Sequence, residues 1–183
     1  MNIHQEILAK SEQNGHVCLY QHLKNVADTA RVMAKHLGFD EQIAVEGALL
    51  HDIGKASPVF QQSLISPNKK PGSVFRHEIA SLFFLSLVCQ EHRDAVIDMI
   101  VAHHKSMYKD VRDLGILDLD DASDCFKEHS KLFPEWSHIA IDILESLGME
   151  THEVSLEEAK ENYEYVIDYC DGRKRGVLNG EGC

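Results

Sequence analysis

The spacing of apolar residues constrains the fold of this chain more than any other feature of its sequence. Within residues 19–37, Leu23, Val26 and Ala30 follow one another at intervals of three or four, which is the spacing of one helix face. Gly38 comes next and is a typical helix stop. No segment alternates between apolar and polar residues for long enough to predict a strand. The sequence therefore predicts an all-α fold.

The same spacing predicts helices along the rest of the chain, separated by stretches rich in turn residues. Residues 66–73 and the Asp-rich stretch from Asp110 to Asp124 are predicted to be mostly loop. Ser155 and Glu158 form the pattern of a capping box at a helix start. The predicted helices are Leu19–Leu37, Glu41–Leu50, Pro58–Leu64, His77–Gln90, Asp94–His104, Ala122–Leu132, Pro134–Leu147 and Leu156–Cys170. We expect these 183 residues to form one compact domain over 1–183, because a second domain would be cramped.

Composition narrows the class of protein. The chain is 44% hydrophobic and 26% charged, which is typical of soluble globular proteins. No apolar run reaches the roughly 20 residues that span a bilayer, and the first residues are too polar for a secretory signal. We therefore expect a cytoplasmic protein with no membrane partner.

The five cysteines are an odd number and contain no Cys-x-x-Cys pair. This pattern argues against a disulfide framework and against a zinc site built from cysteines. Cys89 and Cys170 lie within apolar helical patterns, so the sequence predicts that both are small core residues.

The net charge of −12 is concentrated in the second part of the chain. Residues 1–110 carry 11 Lys and Arg against 12 Asp and Glu, whereas residues 111–183 carry 7 against 18. An anionic substrate would therefore depend on bound metal cations and not on a basic surface. This charge disfavours a duplex partner but is compatible with a single strand.

Histidines and one aspartate supply the distinctive chemistry of the sequence. Imidazole suits Zn, Fe, Mn, Co and Ni, and a carboxylate can bridge two cations. Each residue taken alone has a simpler interpretation: a core histidine, a chance His-Asp pair, or a histidine that favours a helix dipole. Together they are costly to bury unless a metal satisfies them. The candidate residues are His22, His51, Asp52, Lys55, His77, His103 and His104.

The order of these residues resembles that of the HD superfamily of phosphohydrolases. The surrounding segments 21–27, 49–61, 75–81 and 101–104 resemble the HD nuclease domain of the CRISPR-associated helicase-nuclease of type I interference. The Lys-Ala-x-x-x-Phe-Gln string that follows the His-Asp pair and the Arg-His-Glu string are characteristic of that branch. The resemblance covers about residues 14–110 and implies a compact HD-domain helical bundle.

The resemblance also implies roles for the candidate residues. His22, His51 and Asp52 would hold one divalent transition metal ion, and Asp52 would bridge to a second. That second ion would be held by His77, His103 and His104, and water between the ions would attack phosphorus. Lys55 would steady the phosphate or the leaving group, although a solvated lysine beside a turn is the alternative interpretation.

The chain departs from the family pattern in one respect. The family supplies a final aspartate to the first metal from a later helix, in an Ala-Asp context that this sequence lacks. Asp168 and Asp171 are carboxylates in that region, but their context does not match. We expect the first metal to be weakly held, and the chain to be the N-terminal part of a larger helicase-nuclease or its separate nuclease subunit.

The sequence leaves three functions open. The first is a nuclease that cuts single-stranded DNA with a helicase domain or subunit and a CRISPR surveillance complex as partners. The second is an HD phosphohydrolase that acts on nucleotides or cyclic dinucleotides. The third is a degenerate HD module that binds a partner without catalysis; the filled ligand positions argue against it, and the missing carboxylate argues mildly for it.

Overall fold

The computed structural model describes residues 6–11, 15–65, 75–103 and 126–178, with side chains described as far as residue 172. The described α-helices are α1 (Leu19–Leu37), α2 (Glu41–Leu50), α3 (Pro58–Ile65), α4 (His77–Ser81), α5 (Arg93–Ala102), α6 (Phe126–His129), α7 (Phe133–Ser146) and α8 (Leu156–Leu178). Within these described ranges, three short 3₁₀ helices span Ile53–Ala56, Leu82–Leu87 and Gln90–His92. The expected all-α fold class and compact helical bundle are confirmed.

The first two helices begin and end where the sequence predicts. Gly38 adopts a left-handed conformation with φ of 72° and donates its N–H to Ala34 O, which ends α1. The Asp40 side chain accepts hydrogen bonds from the N–H groups of Gln42 and Ile43, which begins α2. Local capping chemistry therefore sets the α1–α2 connection.

A short antiparallel strand pair contradicts the expectation that the chain has no strand. β1 (Leu8–Lys10) pairs with β2 (Val17–Cys18), with Leu8 opposite Cys18. The Gln61 side chain accepts from Leu8 N at 3.0 Å and donates to Leu8 O at 2.8 Å. Strands of three and two residues are too short to show an alternating pattern, and a side chain remote in sequence helps to hold this pair.

The predicted continuous helix His77–Gln90 is also wrong. α4 ends at Ser81, the chain continues as the 3₁₀ helix Leu82–Leu87, and Val88 is extended. Phe83 O accepts a hydrogen bond from the Asn162 side chain of α8 at 2.9 Å. The break places Cys89 on the surface, so the prediction that it belongs to the core fails, whereas Cys170 is buried.

The remaining helix boundaries differ by smaller amounts. α5 ends at Ala102, and α6 ends at His129 before Leu132, whose φ of 58° cannot continue a helix. α8 extends past Cys170 to Leu178, and Ser155 Oγ accepts from Glu158 N at 3.1 Å, as the capping pattern predicts. The loop predicted at 66–73 and the stretch Asp110–Asp124 lie outside the described residues.

The core is largely aromatic and aliphatic. α2 packs against α1 and α5, α7 packs against the Ile53–Ala56 turn, and α8 packs against the 3₁₀ helix Leu82–Leu87. α2 and α5 approach closely at Gly47, where an added Cβ would lie 2.5 Å from Met99 Sδ and Cε. No helix in the described part of the chain has the length and apolar character needed to cross a membrane. The largest fully buried side chains include Trp136, Phe83, Phe84, Phe133, Leu19, Leu23, Leu50 and Ile53.

Candidate metal centre

Four imidazoles from four parts of the chain converge on the carboxylate of Asp52. On Oδ2, His22 Nε2 of α1 lies at 2.7 Å and His51 Nε2 lies at 3.2 Å. On Oδ1, His77 Nε2 of α4 lies at 2.9 Å and His103 Nε2, just after α5, lies at 3.4 Å. The carboxylate therefore divides the histidines into two pairs, one on each oxygen.

Backbone hydrogen bonds fix the protonation of two of these imidazoles. His51 Nδ1 lies 2.7 Å from Ala48 O, and His103 Nδ1 lies 2.6 Å from Ile100 O. A carbonyl oxygen can only accept, so each Nδ1 must carry the proton. In the neutral ring the other nitrogen, Nε2, then presents a lone pair, and in both residues this nitrogen faces Asp52.

A lone pair aimed at a carboxylate is repulsive unless positive charge lies between them. The Nε2 atoms of His51 and His103 are both in this position relative to Asp52. A metal ion supplies the positive charge and accepts lone pairs from both the imidazole nitrogen and the carboxylate oxygen. Metal-ligating histidines usually donate their other N–H to a carbonyl or carboxylate, as these two do.

The burial of Asp52 leads to the same conclusion. Its side chain is only 3% exposed, and Oδ1 lies 2.9 Å from His77 Nε2 and 3.4 Å from His103 Nε2. Burial raises the pKa of this carboxyl, but contacts with His103, His22, His51 and His77 together hold the pKa far below its usual range. Asp52 is thus a buried anion enclosed by four imidazoles, which fits a cation ligand.

Two groups of potential ligands share Asp52, and in each group the ligand atoms lie within 4.8 Å of one another. The first is His22, His51 and Asp52, and the second is Asp52, His77 and His103. These are the groups that the resemblance implied, except that His104 lies outside the described residues. Asp168 is exposed, and neither Asp168 nor Asp171 joins a ligand group among the described residues.

Gly54 and Ser81 hold the turn that carries Asp52 against α4. A Cβ on Gly54 would lie 2.1 Å from His77 O and 2.8 Å from Ser81 N, so only glycine fits. Ser81 Oγ accepts from Gly54 N at 2.9 Å and lies 3.3 Å from His51 O. Because of this close contact, Asp52 and His77 reach the same point although they are 25 positions apart.

Lys55 is part of this site and not a solvated surface lysine. Its side chain is 10% exposed, and Nζ donates to Asp52 Oδ2 at 2.6 Å. The ammonium group also lies 5.7 Å from the centre of the Phe60 ring. A cation therefore lies beside the candidate ligands, within reach of an anion that binds there.

Three residues that support the site were missed from the sequence. His129 is fully buried and its Nε2 accepts from Arg76 N at 3.1 Å, just before His77. Gln61 donates to Lys55 O at 2.7 Å, and Ser81 holds the Asp52 turn as described above. Gln61 and Ser81 lie in the strings that carry the resemblance, so a signal existed for them. Arg76 Nε donates to Glu78 Oε1 at 2.8 Å, and Arg76 belongs to neither ligand group.

Comparisons with known proteins agree with this geometry. No curated protein and no solved structure matches the chain. The family model for the HD domain matches residues 19–161, which is most of the chain and includes both ligand groups. HD domains bind divalent metals and act as metal-dependent phosphohydrolases. The match over more than half of its length shows that this chain belongs to the HD domain family.

Proposed function

We propose that this HD domain is a metal-dependent nuclease that hydrolyses phosphodiester bonds of single-stranded DNA in type I CRISPR interference. The main support is the Asp52 carboxylate, whose two oxygens each face a separate pair of imidazoles. A carboxylate shared in this way suits a two-cation centre, which can stabilise both the attacking and the leaving oxygen of a phosphodiester. The strings around the HD pair, which resemble the nuclease branch, favour DNA among the phosphate substrates.

The residues of the chain have distinct roles in this proposal. His22, His51, Asp52, His77 and His103 hold the cations, and His104 completes the second group as the resemblance implies. Divalent ions bound there would lower the pKa of a water molecule and stabilise charge on the phosphate. The carbonyls of Ala48 and Ile100 hold the His51 and His103 rings in the required tautomer. Lys55 contributes a positive charge at Asp52 for the phosphate or leaving group.

The charge distribution favours a single strand over a duplex. The first 110 residues are nearly neutral, with 11 basic against 12 acidic side chains, so they present little general attraction to a duplex. We propose that a helicase domain or subunit, working with a CRISPR surveillance complex, supplies the single strand. The phosphate would then be recognised at the metal centre and Lys55.

The experiment is a cleavage assay on circular single-stranded DNA, with Mn, Co, Ni, Fe and Zn added in turn. We expect metal-dependent cleavage of the single-stranded circle that EDTA abolishes. An unnicked duplex circle should remain uncut under the same conditions. His51→Ala and Asp52→Ala should lose the activity because each removes a candidate ligand. His138→Ala is the matched control, since His138 is an exposed histidine of α7 outside both ligand groups.

Other substrates in the same assay distinguish the alternatives. Turnover of nucleoside triphosphates or cyclic dinucleotides with intact DNA would replace the nuclease by a small-molecule phosphohydrolase. Metal binding without hydrolysis of any of these substrates would indicate a non-catalytic binding module. Either result would reject the nuclease proposal while leaving the metal centre in place.

A further inference from the structure

We propose that Glu46, Cys89 and His92 form a second metal site, for a zinc-like divalent cation, which goes beyond the proposed nuclease function. One ligand atom from each residue lies within 4.8 Å of the others. Glu46 precedes His51 by five residues, so the two lie about 7.5 Å apart along the helix axis and roughly 140° apart around it. The second site is therefore separate from the Asp52 centre.

A tight turn brings Cys89 and His92 together. Val88 is extended, and His92 N donates to Cys89 O at 2.9 Å across the 3₁₀ helix Gln90–His92. The result is a Cys-x-x-His arrangement in which the thiol and the imidazole lie on one turn. The sequence argued against a zinc site built from cysteines alone, but one cysteine combined with histidine and carboxylate is a different donor set.

Glu46 completes the donor set from the neighbouring helix. Its Oε2 accepts from His92 Nδ1 at 2.7 Å, and its Oε1 accepts from Gln42 Nε2 at 2.9 Å. The side chains of Glu46 and His92 are only 12% and 17% exposed. The absent side chain at Gly47 permits the close approach of α2 and α5 that brings Glu46 to His92.

The donors and their spacing fit zinc-like ions. Cysteine sulfur, imidazole nitrogen and carboxylate oxygen are the three ligand types that zinc uses, at about 2.0–2.3 Å. Those bond lengths place tetrahedral ligands roughly 3.3–3.8 Å apart. Side-chain rotations that open the 2.7 Å Glu46–His92 contact and move the remaining ligand atoms by up to about 1.5 Å would complete the site. The Cys89 thiol would release its proton to solvent on binding.

Solvent can reach this site through a surface cleft. Cys89 is exposed, and the cleft of about 390 Å³ is also lined by Gln42, Glu46 and Glu150. A water molecule or a small ligand can therefore occupy the fourth position of a tetrahedral ion. A simple Glu46–His92 hydrogen bond between helices would not require an exposed thiol beside it, and the experiment separates that interpretation from ours.

Cobalt(II) titration of the full chain tests the site, because cobalt bound to a thiolate gives a near-ultraviolet charge-transfer band. The described ligands of the Asp52 centre contain no cysteine, so they cannot produce this band. We expect the charge-transfer band to saturate at one equivalent of cobalt in the wild type and in Asp52→Asn. The band should be lost in Cys89→Ser and His92→Asn. Cys18→Ser should retain the band, since Cys18 lies in no ligand group among the described residues.

Thiol alkylation gives a second measurement that does not depend on the variants folding. In the wild type, zinc should slow the alkylation of Cys89 by iodoacetamide at least tenfold, with peptide mapping to assign the rate to each cysteine. Absence of the cobalt band, its survival in Cys89→Ser, or unchanged alkylation of Cys89 with zinc would overturn the proposal. These outcomes are independent of DNA cleavage, so they do not affect the nuclease proposal.

Discussion

Asp52 keeps its negative charge although its burial favours the protonated form. The Asp52 side chain is only 3% exposed, so desolvation of its carboxyl favours the protonated form. Contacts with the imidazoles of His103, His22, His51 and His77 oppose that cost and lower the pKa of Asp52. At the scale of single residues, the site is therefore an anion that its neighbours hold in the charged form and that is suited to cations.

Lys55 is the residue whose substitution best separates a role in catalysis from a role in positioning Asp52. We expect Lys55→Met to slow cleavage about ten- to a thousandfold, on the order of 1.4–4 kcal/mol of transition-state stabilisation. Methionine retains an apolar stem against Phe60 but has no charge. Cleavage kinetics and metal analysis of the same preparation are the measurements.

The metal content decides which role Lys55 has. An unchanged content with a slower rate indicates contact with the phosphate, whereas a lost metal indicates that Lys55 mainly positions Asp52. Lys131→Met is the matched control, because the Lys131 side chain is 53% exposed and lies outside the site. A normal rate in Lys55→Met would remove Lys55 from the catalytic machinery.

At the scale of elements, the site depends on how closely the Ile53–Ala56 turn packs on α4. Gly54 has no side chain, and its backbone N–H is bound by Ser81 Oγ. His77 is the first residue of α4, so any shift of that helix start moves an imidazole away from Asp52. The packing of one turn on one helix thus determines whether the second ligand group forms.

Gly54→Ala should damage both stability and metal binding. The new Cβ would meet the His77 carbonyl at 2.1 Å, and a backbone atom cannot move away as a flexible side chain can. We expect a loss of about 1–3 kcal/mol in the free energy of unfolding, together with weaker metal binding. Urea denaturation and metal titration measure the two effects.

Gly172→Ala is the control for this substitution. Gly172 lies in α8, and nothing lies within 4 Å of a Cβ added there. Alanine should stabilise that helix by up to about 1 kcal/mol and leave metal binding unchanged. Equal effects of the two substitutions would show that the contact between Gly54 and His77 has no special importance.

At the scale of the whole molecule, the metal centre connects four separate parts of the chain. His22 comes from α1, Asp52 from the turn after α2, His77 from α4 and His103 from the end of α5. Only the folded chain brings these ligands together. Metal binding should therefore stabilise the native state of the molecule.

We expect a saturating divalent metal, at about 100 times its dissociation constant, to add roughly 2.7 kcal/mol to the free energy of unfolding. For a chain of this size that corresponds to a rise in Tm of about 5–10 °C, which differential scanning calorimetry measures. Asp52→Asn should lose the part of the shift that the Asp52 centre supplies, because both of its ligand groups share this carboxylate. His138→Ala should retain it, and an equal shift in Asp52→Asn would place the stabilising metal elsewhere.

Much of the fold and of the site could be predicted from the sequence because the relevant signals are local. Helix spacing and caps predicted α1 and α2, and the ordered histidines predicted the Asp52 cluster. These features depend on neighbouring residues or on a pattern of residue types, both of which can be read directly from the chain. The ordered residues also predicted the HD superfamily, in agreement with the family model that matches residues 19–161.

The remaining features depend on contacts between residues far apart in the sequence. The β1–β2 pair is held by Gln61, and the break after α4 involves Asn162, which lies 79 positions after Phe83. That break exposes Cys89 beside Glu46 and His92, although its apolar surroundings in sequence predicted burial. Local patterns determined the helices and the identity of the ligands, whereas packing between distant segments decided where helices break and which polar groups meet, because such contacts have no signature in neighbouring residues.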